Sequence, residues 1–79
     1  YPNPFNPETT IEFSLPKEGR YGLRIFNILG EVVKVLADDI FDAGYHKVTF
    51  DGKGYSSGVY FYNLVGQEVN LVKKMVLVK

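Results

Sequence analysis

Residues 29–40, Leu29-Gly30-Glu31-Val32-Val33-Lys34-Val35-Leu36-Ala37-Asp38-Asp39-Ile40, can be read as either of two elements, and the fold class turns on the choice. Leu29, Val33, Leu36 and Ile40 fall at the three-to-four spacing of one helix face. Against a helix, Val32, Val33 and Val35 are β-branched, and Gly30 can supply the positive φ of a short hairpin loop. No Ser, Thr, Asp or Asn stands immediately before Glu31 to cap a helix start. The strand is the better reading. Two adjacent apolar residues, Val32 and Val33, interrupt its alternation and predict a β-bulge there.

Working outward, the rest of the chain reads as strands. Ile11, Phe13 and Leu15 alternate with Thr10, Glu12 and Ser14, so Thr10 to Leu15 is a half-buried strand stopped by Pro16. Lys17-Glu18-Gly19-Arg20 turns into a second run with Tyr21, Leu23 and Ile25 on one face, which suggests a hairpin or meander. Ala37 to Gly44 reads as a loop holding the apolar pair Ile40-Phe41. Beyond it, His46, Val48 and Phe50 alternate with Tyr45, Lys47 and Thr49. Asp51 to Gly58, with three glycines, is turn chemistry. Val59 to Val65 is apolar enough for a strand covered on both sides, and Gly66-Gln67 suits a two-residue primed turn into a last arm, Val69 to Lys79. That arm carries too many apolar residues to lie exposed on one face, so something is expected to cover it. Six or seven short strands with no helix predict an antiparallel β-sandwich, although the paired cysteines and Trp of true immunoglobulin domains are missing.

Totals narrow the function. A chain of 79 residues is one domain, and it buries only about 60–65% of its unfolded surface. With no cysteine and one histidine it has neither a disulfide framework nor an imidazole cluster for a transition metal, so no cofactor is expected. Nine basic and nine acidic residues cancel, which removes the long-range field that favours nucleic acid or an anionic membrane. The charge is uneven along the chain: Asp38, Asp39 and Asp42 cluster, and Lys73, Lys74 and Lys79 make the last segment basic. No apolar run reaches the roughly 18–20 residues of a membrane helix. A start at Tyr1-Pro2 without Met suggests a module cut from a longer polypeptide, with residues 1–9 a stiff Pro/Asn-rich lead-in from a preceding domain.

Candidate chemistry is sparse. A nucleophilic site needs a base, and His46, in phase with Val48 and Phe50, reads as a histidine at the core edge bonded to backbone or water. The three aspartates lack the ligand spacing of a calcium loop and read as a solvated connection. Asp51-Gly52-Lys53-Gly54 has no Ser or Thr after its Lys, so it is a turn and not a phosphate cradle. Tyr45, Tyr55, Tyr60, Phe61 and Tyr62 could form an aromatic platform for a sugar ring, although a core this small needs large rings for itself. A carbohydrate-binding or purely structural accessory module is therefore the alternative to the reading that follows.

Four separated stretches, YPNPFNPETTIEFSLP, LRIFNILGEVVKVL, AGYHKVTFDGKGYSSGVYFYNL and KKMVLVK, together resemble the C-terminal sorting domains (type A) of the bacterial type IX (Por) secretion system, from Tyr1 to Lys79. The immunoglobulin-like domain of flagellar hook-capping proteins looks similar. The resemblance implies an immunoglobulin-like or fibronectin-like sandwich fused behind an N-terminal passenger. It implies no catalysis, and it makes the outer-membrane translocon and a sortase-like peptidase the partners. The passenger would pass through the periplasm to the cell surface or medium, and the domain can afterwards be removed. Residues carried over by motif are Pro2, Asn3 and Pro4 ahead of the first strand, Gly44 and His46 of AGYH, and Ser57, Gly58 and Tyr60 of SGVY. These are expected mainly to serve the fold. Lys74, Met75, Val76, Leu77, Val78 and Lys79 are expected to carry recognition.

On physics alone that last segment stays open between two roles. An apolar strand flanked by lysines can be offered to a partner's sheet edge. It can equally be the last core strand with lysines guarding against aggregation, and pairing between copies is then the hazard they limit.

Overall fold

The computed structural model of the protein describes residues 8–78. Six strands follow one another: β1 (Glu8–Leu15), β2 (Gly19–Phe26), β3 (Val32–Phe41), β4 (Gly44–Asp51), β5 (Gly58–Val65) and β6 (Asn70–Leu77). They form a two-stranded sheet, β1-β4, packed on a four-stranded sheet of order β3-β2-β5-β6. Every pairing is antiparallel. The fold is a β-sandwich, as the alternation predicts.

Alternation places the core. Ile11, Phe13 and Leu15 of β1 face Tyr21, Leu23 and Ile25 of β2, with Phe50, Tyr60, Leu64 and Leu77 completing the buried set. Each fully buried large side chain contributes about 1.5–3 kcal/mol.

The ambiguous stretch is a strand, and its helix-like spacing has a cause. Leu23 pairs with Ala37 but Arg24 with Val35, and Ile25 pairs with Lys34 but Phe26 with Val32. Leu36 and Val33 are therefore extra residues, each resetting the phase of β3. The half-buried positions are consequently Val33, Leu36, Ala37 and Phe41, so sheet contact accounts for Val33 and Leu36 of the helix-spaced set, while Leu29 and Ile40 are exposed. The bulge at Val32-Val33 matches the sequence reading. The one at Leu36 is additional.

Four expectations about connections and cover are corrected. The run Ala37–Phe41 is strand, with Ile40 opposite Arg20 and Phe41 opposite Gly19, so only Asp42 and Ala43 separate β3 from β4. Asp38 and Asp39 are tolerated because β3 is an edge strand and Arg20 Nη2 lies 3.1 Å from Asp38 Oδ1 on the neighbouring strand. β1 and β2 are not a hairpin: β1 pairs with β4, and Pro16, with no amide hydrogen to extend the ladder, sits where the chain crosses between sheets.

The β5–β6 hairpin reverses at Gln67-Glu68, closed by Gly66 N–H donating to the Val69 carbonyl at 2.8 Å. Neither Gly66 nor any described non-glycine residue has positive φ, so the turn is not of the primed kind. Glu68 also forms an ion pair with Lys17, and its carboxylate holds that ammonium above the usual lysine range. Finally, β5 buries one face only, through Tyr60 and Leu64, because the second sheet covers the inner side and nothing described covers the outer.

Two tyrosines tie crossovers to strands. Tyr21 Oη donates to the Lys17 carbonyl and Tyr60 Oη to the Ser56 carbonyl, each at 2.8 Å and each four residues back. Tyr60→Phe is expected to lower unfolding stability by about 1 kcal/mol, read from chemical denaturation, because the carbonyl loses its partner while the ring stays packed.

Candidate functional site

β6 is an edge strand, bonded to β5 on one side only. Its alternation gives it two unlike faces. Leu71 and Met75 are half-buried and Leu77 is 2% exposed, all turned toward the second sheet. Val72, Lys74, Val76 and Val78 are exposed, the valines at 57–70%. The expected cover over this arm is absent among the described residues, because the two-stranded sheet protects only its inner face. Lys73, in phase with Leu71 and Met75, is also exposed. Neither Lys73 nor Lys74 has an ion-pair partner among the described residues.

What holds this strand down is a glycine that the sequence reading treated as turn punctuation. Gly52, buried just beyond β4, would place a Cβ 2.5 Å from Leu77 Cδ1, so the leucine occupies the space a side chain would need. Gly58, with φ of 151°, a conformation L side chains rarely adopt, lies opposite Leu77 in the ladder, and Tyr60 lies opposite Met75. Of the motif residues, then, Gly58 and Tyr60 adjoin the terminal strand. Ser57, exposed, immediately precedes them.

Gly44 and His46 sit in the other sheet, opposite Leu15 and Phe13. The His46 ring stacks on Phe13 at 5.7 Å and meets Phe41 edge-on at 5.1 Å, and its Nε2 lies 2.8 Å from the Asp42 carbonyl oxygen. That is the packed, backbone-bonded histidine of the sequence reading. Pro2, Asn3, Pro4 and Lys79 lie outside the described residues.

The aromatic platform does not assemble. Alternation on β5 turns Tyr60 inward and Phe61 to the opposite face. Tyr55 packs on Phe50 at 5.4 Å and donates from Oη to the Val33 carbonyl at 3.1 Å, so it belongs to the interior. Tyr45 stands alone on β4, 57% exposed. The three aspartates are likewise dispersed into strand and turn: Asp38 is engaged by Arg20, Asp39 Oδ1 accepts from the Ile40 N–H, and no group of metal-ligating side chains exists among the described residues. A shallow depression of about 470 Å³ lies on the outer face of the larger sheet over Gly22, between Arg20 and Arg24. Its lining holds no Ser, Thr, Cys or His, and its one carboxylate, Asp38, is engaged by Arg20.

The site is thus a surface and not a cleft: an edge strand, apolar and basic outside, seated through one leucine. No curated protein and no solved structure matches the chain. The sequence model of one family, described as the secretion system C-terminal sorting domain, matches residues 1–79. With that match over the full length, the chain belongs to the family of C-terminal sorting domains of type IX secretion.

Proposed function

We propose that this domain is a non-enzymatic address that carries a fused N-terminal passenger across the outer membrane to the cell surface or medium, and that its terminal strand is what the translocon reads. Membership in the sorting-domain family supports the direction of traffic. The observation that carries the finer part is the placement of β6. It is an edge strand whose outward valines are exposed and whose Lys73 and Lys74 have no ion-pair partner among the described residues. An edge strand has unused backbone donors and acceptors, so a partner can add a strand of its own, with alternate side chains setting specificity.

In this reading Lys74, Val76 and Val78 are contact residues, whereas Leu77 and Met75 hold the strand in register. Pro2, Asn3 and Pro4 join passenger to domain. Gly44, His46, Ser57, Gly58 and Tyr60 maintain the fold. A sortase-like peptidase acts on the passenger after export. The absence of catalysis is supported by the engagement of the lone imidazole with the Asp42 carbonyl, away from any nucleophile.

The test is export itself. Residues 1–79 fused behind a periplasm-directed reporter in a type IX host are expected to move the reporter outside the cell. Deleting Lys74 to Lys79 is expected to retain it in the periplasm, and undiminished export by the shortened fusion would end the recognition assignment.

A further inference from the structure

We infer that this domain binds a second copy of itself: the β2–β3 tip of one copy enters the depression over Gly22 on the outer sheet face of the other, and Glu31 of the tip meets Arg24 of the depression. The inference does not depend on the sorting function proposed above.

Gly22 lies within β2 on the outward face, and a glycine inside a strand weakens it. Nothing in the fold requires a glycine at this position. Its φ is not positive, and a Cβ there would come no closer than 4.0 Å to the Ala37 carbonyl oxygen. The missing side chain leaves a hollow of about 470 Å³ between Arg20 and Arg24, walled by Val32, Val35 and Val65. Its charges are simple. Arg20 donates from Nε to Asp38 Oδ1 at 3.2 Å and its Nη2 lies 3.1 Å from the same oxygen, so that pair cancels. Glu68, on the turn beyond Gly66, is paired with Lys17. Arg24 is exposed and has no ion-pair partner among the described residues. The hollow is therefore apolar with one uncompensated cation.

The β2–β3 tip has the complementary character. Turn tips ordinarily carry polar residues, yet this one displays Ile28 and Leu29, 71% and 78% exposed. Beside them Glu31 is exposed and has no ion-pair partner among the described residues. Its Oε1 accepts from Asn27 Nδ2 at 2.8 Å, a neutral amide that fixes the carboxylate in place without cancelling its charge. Asn27 Oδ1 accepts from Leu29 N–H at 2.9 Å and from Glu31 N–H at 3.0 Å. Two aliphatics and an anion are thereby held in a set arrangement, so docking them orders little that is not already ordered.

The two patches belong to different molecules when they meet. The tip continues past Phe26, about 14 Å from Gly22 along β2, and its locked backbone cannot fold back over its own sheet. A second copy supplies both matches at once, aliphatic side chains for the hollow and a carboxylate for Arg24. Tip and hollow are separate patches, so the contact is heterologous, and a copy bound through its tip still offers its hollow to another. A bilayer is the weaker occupant, because it gains nothing from a hollow and its anionic headgroups repel Glu31.

Sedimentation of the purified 79-residue chain over a range of concentrations tests this. The average mass should rise with concentration. Arg24→Glu and Glu31→Arg should each weaken association at least tenfold, and an equimolar mixture of the two should recover it, because each restores an opposite-charge pair with the other. Gly22→Val should weaken it as strongly by filling the hollow, with no fall in melting midpoint, and it leaves every bond of the tip in place. A parent chain that stays monomeric throughout would overturn the inference. So would association that survives all three substitutions, which would belong to another surface such as a strand edge, or a mixture that fails to recover. Retention on phosphatidylcholine–phosphatidylglycerol vesicles that Gly22→Val abolishes would give the hollow to lipid instead.

Discussion

Gly52→Val is expected to cost about 3 kcal/mol of stability, the upper end of what overpacking a closed core produces. A Cβ at position 52 would lie 2.5 Å from Leu77 Cδ1 and 3.1 Å from its Cγ. Leu77 is 2% exposed, so it can make room only by leaving its seat. For a chain of this length total stability is roughly 4–12 kcal/mol, so the loss is a large fraction of it. At roughly 4–8 °C per kcal/mol, the melting midpoint should fall by about 12–24 °C. Gly52→Ala should show a smaller drop of the same origin. An unchanged midpoint for the valine variant would mean that the terminal strand is not seated on Gly52. Because the displaced residue belongs to the terminal strand, export should fall together with stability.

The second large effect separates neighbours with opposite roles. Leu77→Ala removes a buried side chain and is expected to destabilise the domain by about 3 kcal/mol. Val76→Ser, at a position 57% exposed, should change stability by no more than about 0.5 kcal/mol. If Val76 is buried by a partner, its side chain is worth about 1.5 kcal/mol there, so export or binding should still drop about tenfold. Denaturation midpoints and exported reporter, measured for both variants, give the answer. Export that tracks stability alone across the pair would make the terminal strand a core strand and nothing more.

These two predictions mark where reading residues in order succeeds. Thr10–Leu15, Tyr21–Ile25 and Tyr45–Phe50 each have one face in the core and one in water, so period-two alternation was sufficient to recognise them. Residues 29–40 were harder, because two bulges shift the phase of β3 and break its two-residue alternation. Only one bulge had a local signature, the Val32-Val33 pair. The segment Ala37–Phe41 read as a loop because Asp38 and Asp39 disfavour strands. The ion pair that steadies Asp38 comes from Arg20, eighteen positions earlier, on a strand whose register no local pattern discloses.

The surface followed the same division. Lys74 to Lys79 could be singled out from motif and composition. Gly52 could not, since a glycine seated against a leucine twenty-five positions later looks in sequence like any other turn glycine.

By itself the sequence determined that the chain is all-β, that it has no disulfide to support its side-chain packing, and which faces of most strands turn inward. These properties depend on near neighbours and on the two-residue period of an extended backbone. Only the tertiary structure decided that β1 pairs with β4 instead of β2, that β6 occupies an edge with its valines uncovered, and that Leu77 fills the space over Gly52. Each of these depends on contacts between residues far apart in the chain, where strand order and close approach are settled by how two sheets can bury one set of side chains together.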